Sequence, residues 1–342
     1  MQKVDAVVVT FNRLKKLQHA LECYDKQSVP FRSLIVVDNH STDGTIEYLK
    51  EWEMQSAAYE KHVIYLPSNV GGSGGFYEGE KYAIEHGADW VYISDDDAYP
   101  EILLVEKFNT FCEQHKEEKI SAICATVTFV NGKIINGCRR HMYLKDGYLY
   151  ADPSTDDEYR LSSFKHNVLS YVGVFLSGAA MKQEGLVDPT FFIYQDDSEH
   201  SIRLSKYGTM YCLPNMRVIH DTDLINATPE HLERMAWKEY YGARNGVYIV
   251  IKHFPSIKDQ TIDQYMSQIK VRRESSLTAI KKMYLQGIKD AIDGKMGIHE
   301  IYRPGMNVPL EKMPYPWLFW KRYYWKLRLL NMLRRIGIFA KK

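Results

Sequence analysis

The first hundred residues alternate short apolar runs with stretches in which apolar residues recur every three or four positions. Four such runs predict strands, at residues 4–10, 34–38, 62–66 and 90–94. In the stretches that follow these runs, apolar residues spaced three and four positions apart predict helices near residues 14–21, 46–52 and 76–85. Strands that alternate with helices in this way are typical of βαβ units, so the pattern predicts an α/β domain on a mostly parallel sheet.

Beyond residue 100 the pattern changes to strands and loops, and then to helices. Thr228-Pro229-Glu230 predicts a helix start, because a threonine cap, a proline in the first turn and an acid are all favourable there. That helix is expected to end near residue 253, followed by largely helical residues 258–292 and an amphipathic helix at 315–336. We therefore predict one domain over residues 1–254, with halves of about 1–100 and 100–254, and a helical region over 255–342.

Polar clusters follow the predicted strands, at residues 10–13, 38–45, 69–76 and 95–97. In an open parallel sheet, ligands bind outside the carboxyl ends of the strands, so these clusters are candidates for one site. Asp38 closes an apolar strand, where an acid can hydrogen-bond a base or ribose. Residues 41–45 are also typical of a turn that caps the next helix.

Asp95, Asp96 and Asp97 place three carboxylates side by side after a buried strand. Such a group is unfavourable unless a cation neutralises it, and Mg²⁺ or Mn²⁺ accepts carboxylate together with phosphate oxygens. The alternative is that these acids cap a helix that begins near Pro100. The position after a strand of the βαβ series favours a metal–diphosphate site.

Two further segments carry candidate chemistry. In residues 69–76 four glycines precede a helix, which predicts backbone N–H groups free for an anion or a sugar, although the spacing fits no P-loop and a flexible loop is an equal alternative. Residues 191–199 form an apolar run that ends in Asp196 and Asp197, as expected of a general base at a pocket edge. His220 follows another strand-like run, where an imidazole can join carboxylates on a metal.

The composition is that of an ordinary globular protein: 342 residues, 45% of them hydrophobic, with 44 basic and 43 acidic side chains and a net charge of +1. No apolar run reaches the ~20 residues of a spanning helix, and the N-terminal residues do not read as a signal peptide. Five scattered cysteines predict reduced thiols in a cytoplasmic protein. The charge is uneven, since no acid follows Glu311 whereas aromatic and basic residues are dense there.

Together the segments VVVTFNR, VVDNHSTDGT, NVGGSGGF, SDDDAYP and FFIYQDDSEHSIRL, in this order, resemble family-2 glycosyltransferases with the GT-A fold. The resemblance covers roughly residues 4–250 and is greatest to the galactofuranosyltransferase branch. It implies a Rossmann-like sheet flanked by helices, with a helical C-terminal extension. It also implies inverting transfer of galactofuranose from UDP-galactofuranose to a hydroxyl of a glycan, in cell-surface polysaccharide synthesis.

The resemblance also implies roles for individual residues. Asp197 would be the catalytic base, with Asp196 as the alternative, and Asp38 would hold the uracil. The metal ligands would be Asp95, Asp97 and His220, for Mn²⁺ or Mg²⁺. The other donor-binding residues would be Thr10, Asn12, Arg13, Asn69, Gly71, Gly72 and Asp96. Trp237 and Arg244 would face the acceptor.

Alternatives stay open at this point. A rhamnosyltransferase that uses dTDP-rhamnose is the nearest, and a non-catalytic glycan- or lipid-binding scaffold belongs to another class. A nucleotidyltransferase is disfavoured because a basic glycine-rich signature is missing near the N-terminus. Residues 312–342 combine aromatic and basic side chains, which predicts peripheral attachment to the inner face of the cell membrane rather than nucleic-acid binding. Packing on the protein, or pairing of the helices after residue 255 with a second subunit, is the alternative.

Overall fold

The computed structural model describes residues 2–222, 235–269 and 277–335, without the side chains of Leu327, Leu330, Asn331, Arg334 and Arg335. The chain forms two compact units, Met1–Ala227 and Thr228–Lys342. The predicted boundary at residue 254 falls inside the second unit and stays a prediction. The predicted cap at Thr228-Pro229-Glu230 and Ile336 of the expected terminal helix lie outside the described residues.

The first unit is built on a long mixed sheet. Its strands and those of a smaller sheet are β1 Val4–Thr10, β2 Ser33–Asp38, β3 Glu60–Tyr65, β4 Trp90–Asp95, β5 Ala98–Pro100, β6 Ile120–Thr128, β7 Arg139–Lys145, β8 Tyr148–Pro153, β9 Phe164–His166, β10 Val168–Leu169, β11 Val174–Ser177 and β12 Thr209–His220. The order in the large sheet is β3-β2-β1-β4-β11-β6-β12-β5, with β9 also paired to β12. The first four strands are parallel, as is the pair β6–β12, so the predicted mostly parallel sheet is confirmed.

Helices cover both faces of this sheet. They are α1 Leu14–Asp25, α2 Thr45–Glu53, α3 Gly71–Glu85, α4 Leu104–Gln114, α5 Gly178–Glu184 and α6 Asp196–Leu204. Alternate residues of each strand enter different cores, as the period of two requires. In β1, Ala6 and Val8 join the core that contains α1, α2 and α4 residues, whereas Val7 and Val9 join the core that contains residues of α3, α5 and α6.

The glycine-rich segment is helix rather than loop, which corrects the expectation that the helix begins near residue 76. Helix α3 begins at Gly71 and runs through the remaining glycines. A side chain on Gly75 would meet a Val9 methyl group at 2.6 Å, and one on Gly79 would meet a Val7 methyl group at 2.2 Å. The glycines therefore let α3 pack closely on β1, which outweighs their low helix propensity.

The smaller sheet has the antiparallel order β10-β7-β8. Arg139, the first residue of β7, is fully buried, and its guanidinium donates to backbone carbonyls of Cys138, Ala125 and Val172 at 2.7–2.8 Å. These bonds fix the start of β7 beside strands of the large sheet. The neighbouring Arg140 is thereby held near helix α6, where it donates to the Ser198 hydroxyl at 2.9 Å.

The second unit is helical over its described residues, with α7 Lys238–His253, α8 Lys258–Ile269, α9 Ala279–Ile292 and α10 Trp317–Arg335. Its core joins the apolar faces of all four helices, with Val247, Ile269, Leu285 and Trp320 among the buried residues. Among the helices described, none is both long enough and apolar enough to cross a membrane.

Candidate active site

The carboxyl ends of β1, β2 and β4 lie next to one another, because these strands are parallel neighbours. Thr10 and Asp38 are directly paired in register, and Val9 is paired with Asp95. Strand β12 arrives at the same place from the other half of the sheet, since its last residue, His220, is paired with Ala98. Sequence segments more than two hundred residues apart therefore form one cluster of polar side chains.

The three consecutive aspartates have different surroundings. Asp96 is fully buried and accepts a hydrogen bond from the Thr10 hydroxyl at 2.7 Å. Burial raises the pKa of Asp96 to about 7, although the nearby Arg13 lowers it. Asp95 and Asp97 instead lie together with His220, and one ligand atom of each falls within 4.8 Å of the others.

The group formed by Asp95, Asp97 and His220 suits a divalent cation. His220 Nε2 lies 3.2 Å from an oxygen of Asp97 and 4.0 Å from one of Asp95. Burial would lower the pKa of His220, but the two carboxylates outweigh it and raise that pKa. Two carboxylates and one imidazole are a ligand set that Mn²⁺ and Mg²⁺ accept, with positions left for phosphate oxygens. The residues present therefore fit such an ion.

Two cations lie beside the same carboxylates. The Arg13 guanidinium is 2.5 Å from Asp97 and 3.1 Å from Asp96, and Lys16 Nζ is 4.0 Å from Asp97. Burial would raise the pKa of Asp97, but His220, Arg13 and Lys16 together lower it, so the carboxylate is favoured. Lys16 is also bonded to the Asp221 carbonyl. Sequence reasoning missed Lys16, which lies one helical turn after Arg13.

The loops after β1 and β2 are tied together around Asp38. Asp38 is fully buried, and its carboxylate accepts the Ser41 N–H at 3.2 Å. Asn12, in a left-handed conformation, accepts the Thr42 N–H at 2.7 Å through its side-chain oxygen. Asp43 accepts from both the N–H and the hydroxyl of Thr45, at the start of α2. Residues 41–45 thus form a turn that leads into α2, whose N-cap residue Gly44 makes no side-chain cap, and Asn12 braces this turn.

The start of α3 is held from two sides. Asn69 accepts the Gly71 N–H at 2.8 Å, and the Ser73 N–H bonds to the Phe192 carbonyl at 3.2 Å. Asn39, which sequence reasoning missed although it follows Asp38, donates to the Gly71 carbonyl and accepts the Val70 N–H, both at 2.9 Å. Three N–H groups of residues 69–76, those of Val70, Gly71 and Ser73, are therefore engaged rather than free. Gly72 has open space where a side chain would lie.

Asp196 and Asp197 form the first turn of α6. The chain enters this helix through left-handed conformations at Phe192, Tyr194 and Gln195, which are rare for residues other than glycine. Asp197 accepts from the backbone N–H and the hydroxyl of Ser198 at 2.6 and 3.0 Å. Three strained residues within four positions are a cost that the surrounding structure must offset, and they fix where the two carboxylates lie.

Both carboxylates have raised pKa values. For Asp196 the causes are burial and then the neighbouring Asp197 charge. For Asp197 burial outweighs the attraction of Arg140. Groups of this kind hold a proton more readily than a free aspartate, which is what a base that works near neutral pH needs. Arg140 had no signal in the sequence, because only the sheet pairing brings β7 beside α6.

Trp237 and Arg244 lie in the second unit and are buried there. The Arg244 guanidinium lies over the Tyr241 ring at 4.8 Å and over the Tyr240 ring at 5.4 Å. Its Nε donates to the Asn245 side chain at 2.8 Å. Trp237 packs edge-on against Tyr241, with 5.7 Å between ring centroids. Their expected contact with an acceptor stays a prediction.

Comparison with known proteins adds the family. Residues 5–163 match the model of glycosyl transferase family 2. The chain is 26% identical to the galactofuranosyltransferase GlfT1 of Mycolicibacterium smegmatis over 60% of its own length and 66% of the relative's, just under two thirds. It is 22% identical to the dTDP-rhamnosyl transferase RfbF of Shigella flexneri, over 85% of this chain and 96% of the relative.

A solved structure supports the fold. GalNAc-T7, crystallised with UDP, GalNAc and Mn²⁺, superposes with a TM-score of 0.58 and 14% identity, over 86% of this chain and 56% of the other. Together with the mostly parallel sheet and its flanking helices, this similarity confirms the predicted GT-A fold. Residues 5–163 therefore match glycosyl transferase family 2, and the chain is similar to galactofuranosyltransferases.

Proposed function

We propose that the protein is an inverting, metal-dependent glycosyltransferase that moves galactofuranose from UDP-galactofuranose to a hydroxyl group of a glycan acceptor. The observation that carries the proposal is the meeting of Asp95, Asp97 and His220 beside Thr10 and the loops of Arg13 and Asp38. That arrangement offers a metal–diphosphate site next to a buried acid suited to a nucleobase. The similarity to galactofuranosyltransferases supports the choice of sugar.

The donor would lie along the carboxyl edge of the sheet. Asp38 would accept a hydrogen bond from the uracil, and the exposed side of Gly72 would leave room for the donor beside α3. Thr10 and Asn12 hold the loops in place, and so does the buried Asp96. Arg13 and Lys16 would meet the diphosphate, because breaking the bond from the sugar to phosphate leaves growing negative charge there.

Asp95, Asp97 and His220 would hold a Mn²⁺ or Mg²⁺ ion. Such an ion, when bound, stabilises the charge that develops on the leaving diphosphate. Asp197 would remove the proton of the acceptor hydroxyl as the oxygen attacks the sugar carbon from the face opposite the diphosphate, which inverts the configuration. Asp196 shares the same turn and keeps the alternative role.

The acceptor is proposed to be a lipid-linked glycan in cell-surface polysaccharide synthesis. Helix α10 supports a membrane location, because it carries exposed apolar side chains. Leu318 is 70% exposed and Trp325 is 57% exposed, followed by Leu329 and Met332 along the same side of the helix. Exposed Lys321, Arg322, Lys326 and Arg328 accompany them. A helix of this composition suits the surface of an anionic bilayer.

A rhamnosyltransferase is the second candidate, since the alignment with the dTDP-rhamnosyl transferase covers 85% of this chain and 96% of the relative. The deciding experiment measures nucleotide release from a panel of sugar nucleotides in the presence of Mn²⁺. We expect UDP release from UDP-galactofuranose, lost when EDTA removes the metal. Release of dTDP from dTDP-rhamnose would instead favour the second candidate. Release from neither donor, with a glycan acceptor mixture present, would contradict catalysis and favour a binding scaffold.

A further inference from the structure

A buried hydrogen-bond network joins helices α3 and α6 outside the donor and metal residues. Glu80 of α3 and His200 of α6 are both fully buried. The Tyr171 hydroxyl lies between them, 2.9 Å from Glu80 Oε1 and in hydrogen-bond contact with His200 Nδ1. At the two ends, Glu80 Oε2 accepts the Val187 N–H and His200 Nε2 faces the Gly185 carbonyl, each at 2.9 Å.

Counting hydrogens shows that this network needs one extra proton. The Gly185 carbonyl only accepts, so His200 Nε2 carries a hydrogen, and Nδ1 of a neutral ring is then an acceptor. The Tyr171 hydroxyl has a single hydrogen but faces two acceptors, Nδ1 and the Glu80 carboxylate. Both contacts are satisfied only if Glu80 or His200 holds an additional proton.

The additional proton belongs on Glu80. Burial, and after it the Arg203 charge, lower the pKa of His200 to about 3, so the ring is neutral. Burial raises the pKa of Glu80 to about 7, against the lowering effect of its hydrogen bonds and of Arg203. The titratable and charged groups that act on Glu80 are Tyr171, His200, Arg203 and Asp196, and Arg203 is itself paired with Glu199 at 2.9 Å.

We propose that Glu80 is a positioning residue whose carboxylic acid holds helix α6, and with it Asp196 and Asp197, in place against helix α3. The protonated acid donates to Tyr171, Tyr171 donates to His200, and His200 donates to the Gly185 carbonyl. Each of these three hydrogen bonds then has its own hydrogen. The positioning role of Glu80 rests on the proposed function, in which Asp197 is the base. The hydrogen-bond network itself does not depend on that function.

Loss of the proton disrupts this arrangement. An ionised Glu80 leaves the Tyr171 hydroxyl with two acceptors and one hydrogen, and it places a second negative charge near Asp196. The link between α3 and α6 therefore weakens as pH rises through about 7. We expect kcat to fall over that range while KM for the donor changes little, because the donor contacts lie elsewhere.

The test replaces Glu80 with glutamine. The amide of Glu80→Gln has the shape of the neutral acid: its NH₂ group donates to Tyr171 and its carbonyl accepts the Val187 N–H. We expect near-normal kcat below about pH 7 and loss of the alkaline decline that Glu80 causes. Glu85→Gln, at an exposed position of the same helix, is the matched control and should keep the wild-type pH profile. An alkaline decline unchanged in Glu80→Gln would overturn the proposal.

Thermal unfolding gives a readout that does not need activity. Because the pKa of Glu80 is raised in the folded state, its contribution to stability is complete below the ordinary glutamate pKa and is lost as pH rises towards about 7. The Tm of the wild type should therefore fall over this range relative to that of Glu80→Gln. Parallel Tm curves would contradict the buried proton. If the Tm curves of the wild type and Glu80→Gln diverge but the protein has no transferase activity, the network is supported and the proposed function is rejected.

Discussion

Asp95, Asp96 and Asp97 are adjacent in the chain, yet they have different partners. Asp96 is turned towards Thr10 and Asp97 towards His220, while Arg13 lies beside both. Asp196 and Asp197 are a second pair of neighbours with distinct contacts, since Ser198 and Arg140 lie beside Asp197. At the scale of single residues, the role of a carboxylate is set by the strand or helix that presents it.

Replacement of Asp197 by asparagine tests the proposed base. The amide keeps the size of the side chain but cannot take a proton, so transfer should fall by about 10²–10⁴-fold. Donor affinity should stay within a few-fold, because the donor residues lie on other loops. The measurements are kcat for transfer and the Kd for UDP. Asp157→Asn, on the exposed surface, serves as the control and should behave as wild type. Unchanged turnover in Asp197→Asn, with loss in Asp196→Asn, would move the role to Asp196.

At the scale of elements, α3 depends on the absence of side chains where it crosses β1. Gly79→Ala places a methyl group 2.2 Å from a Val7 methyl in a buried strand. Either the helix or the strand must move, so the free energy of unfolding should fall by about 1–3 kcal/mol. Urea denaturation measures it.

Gly72→Ala is the matched control in the same helix. Its new methyl group meets no atom within 4 Å, so only the gain in helix propensity remains, on the order of 0.5–1 kcal/mol in favour of the folded state. Equal effects of the two alanines would contradict the close packing of α3 on β1.

The elements that the sequence predicted well are those with a strong local period. The four apolar runs became strands β1 to β4, of which the edge strand β3 is only partly buried, and Asp38 and Asp95 close two of them as expected. The glycine segment was misjudged because propensity alone disfavours helix, and the compensating contact with β1 is not local. Lys16 and the network around Glu80 lie in no motif. Asn39 lies in the VVDNHSTDGT segment, but like them it acquires its partners only through the tertiary fold. A search for polar residues one position after each strand would have found Asn39.

At the scale of the whole molecule, the chain combines a sheet-based unit that carries the candidate site with a second unit whose described residues are mainly helical and whose last described helix is α10. One side of α10 packs into the second unit's core, where Trp320 is 4% exposed. With 3.6 residues per turn, Leu318, Trp325, Leu329 and Met332 fall on a different side, at spacings of seven, four and three residues. Lys321 and Arg328 flank this exposed stripe on one edge, and Arg322 and Lys326 on the other.

The exposed stripe predicts binding to anionic bilayers. In co-sedimentation with vesicles, we expect the protein to bind phosphatidylglycerol-containing vesicles, and to bind phosphatidylcholine vesicles far less, because the flanking cations need anionic headgroups. Trp325→Glu with Leu329→Glu should abolish binding, since both side chains are more than half exposed and their loss leaves the core intact. Leu144→Glu with Val130→Glu, at exposed apolar sites of the first unit, is the control for the added charge. Binding that persists in the α10 variant, or that is lost equally in the control, would show that this stripe does not meet the membrane.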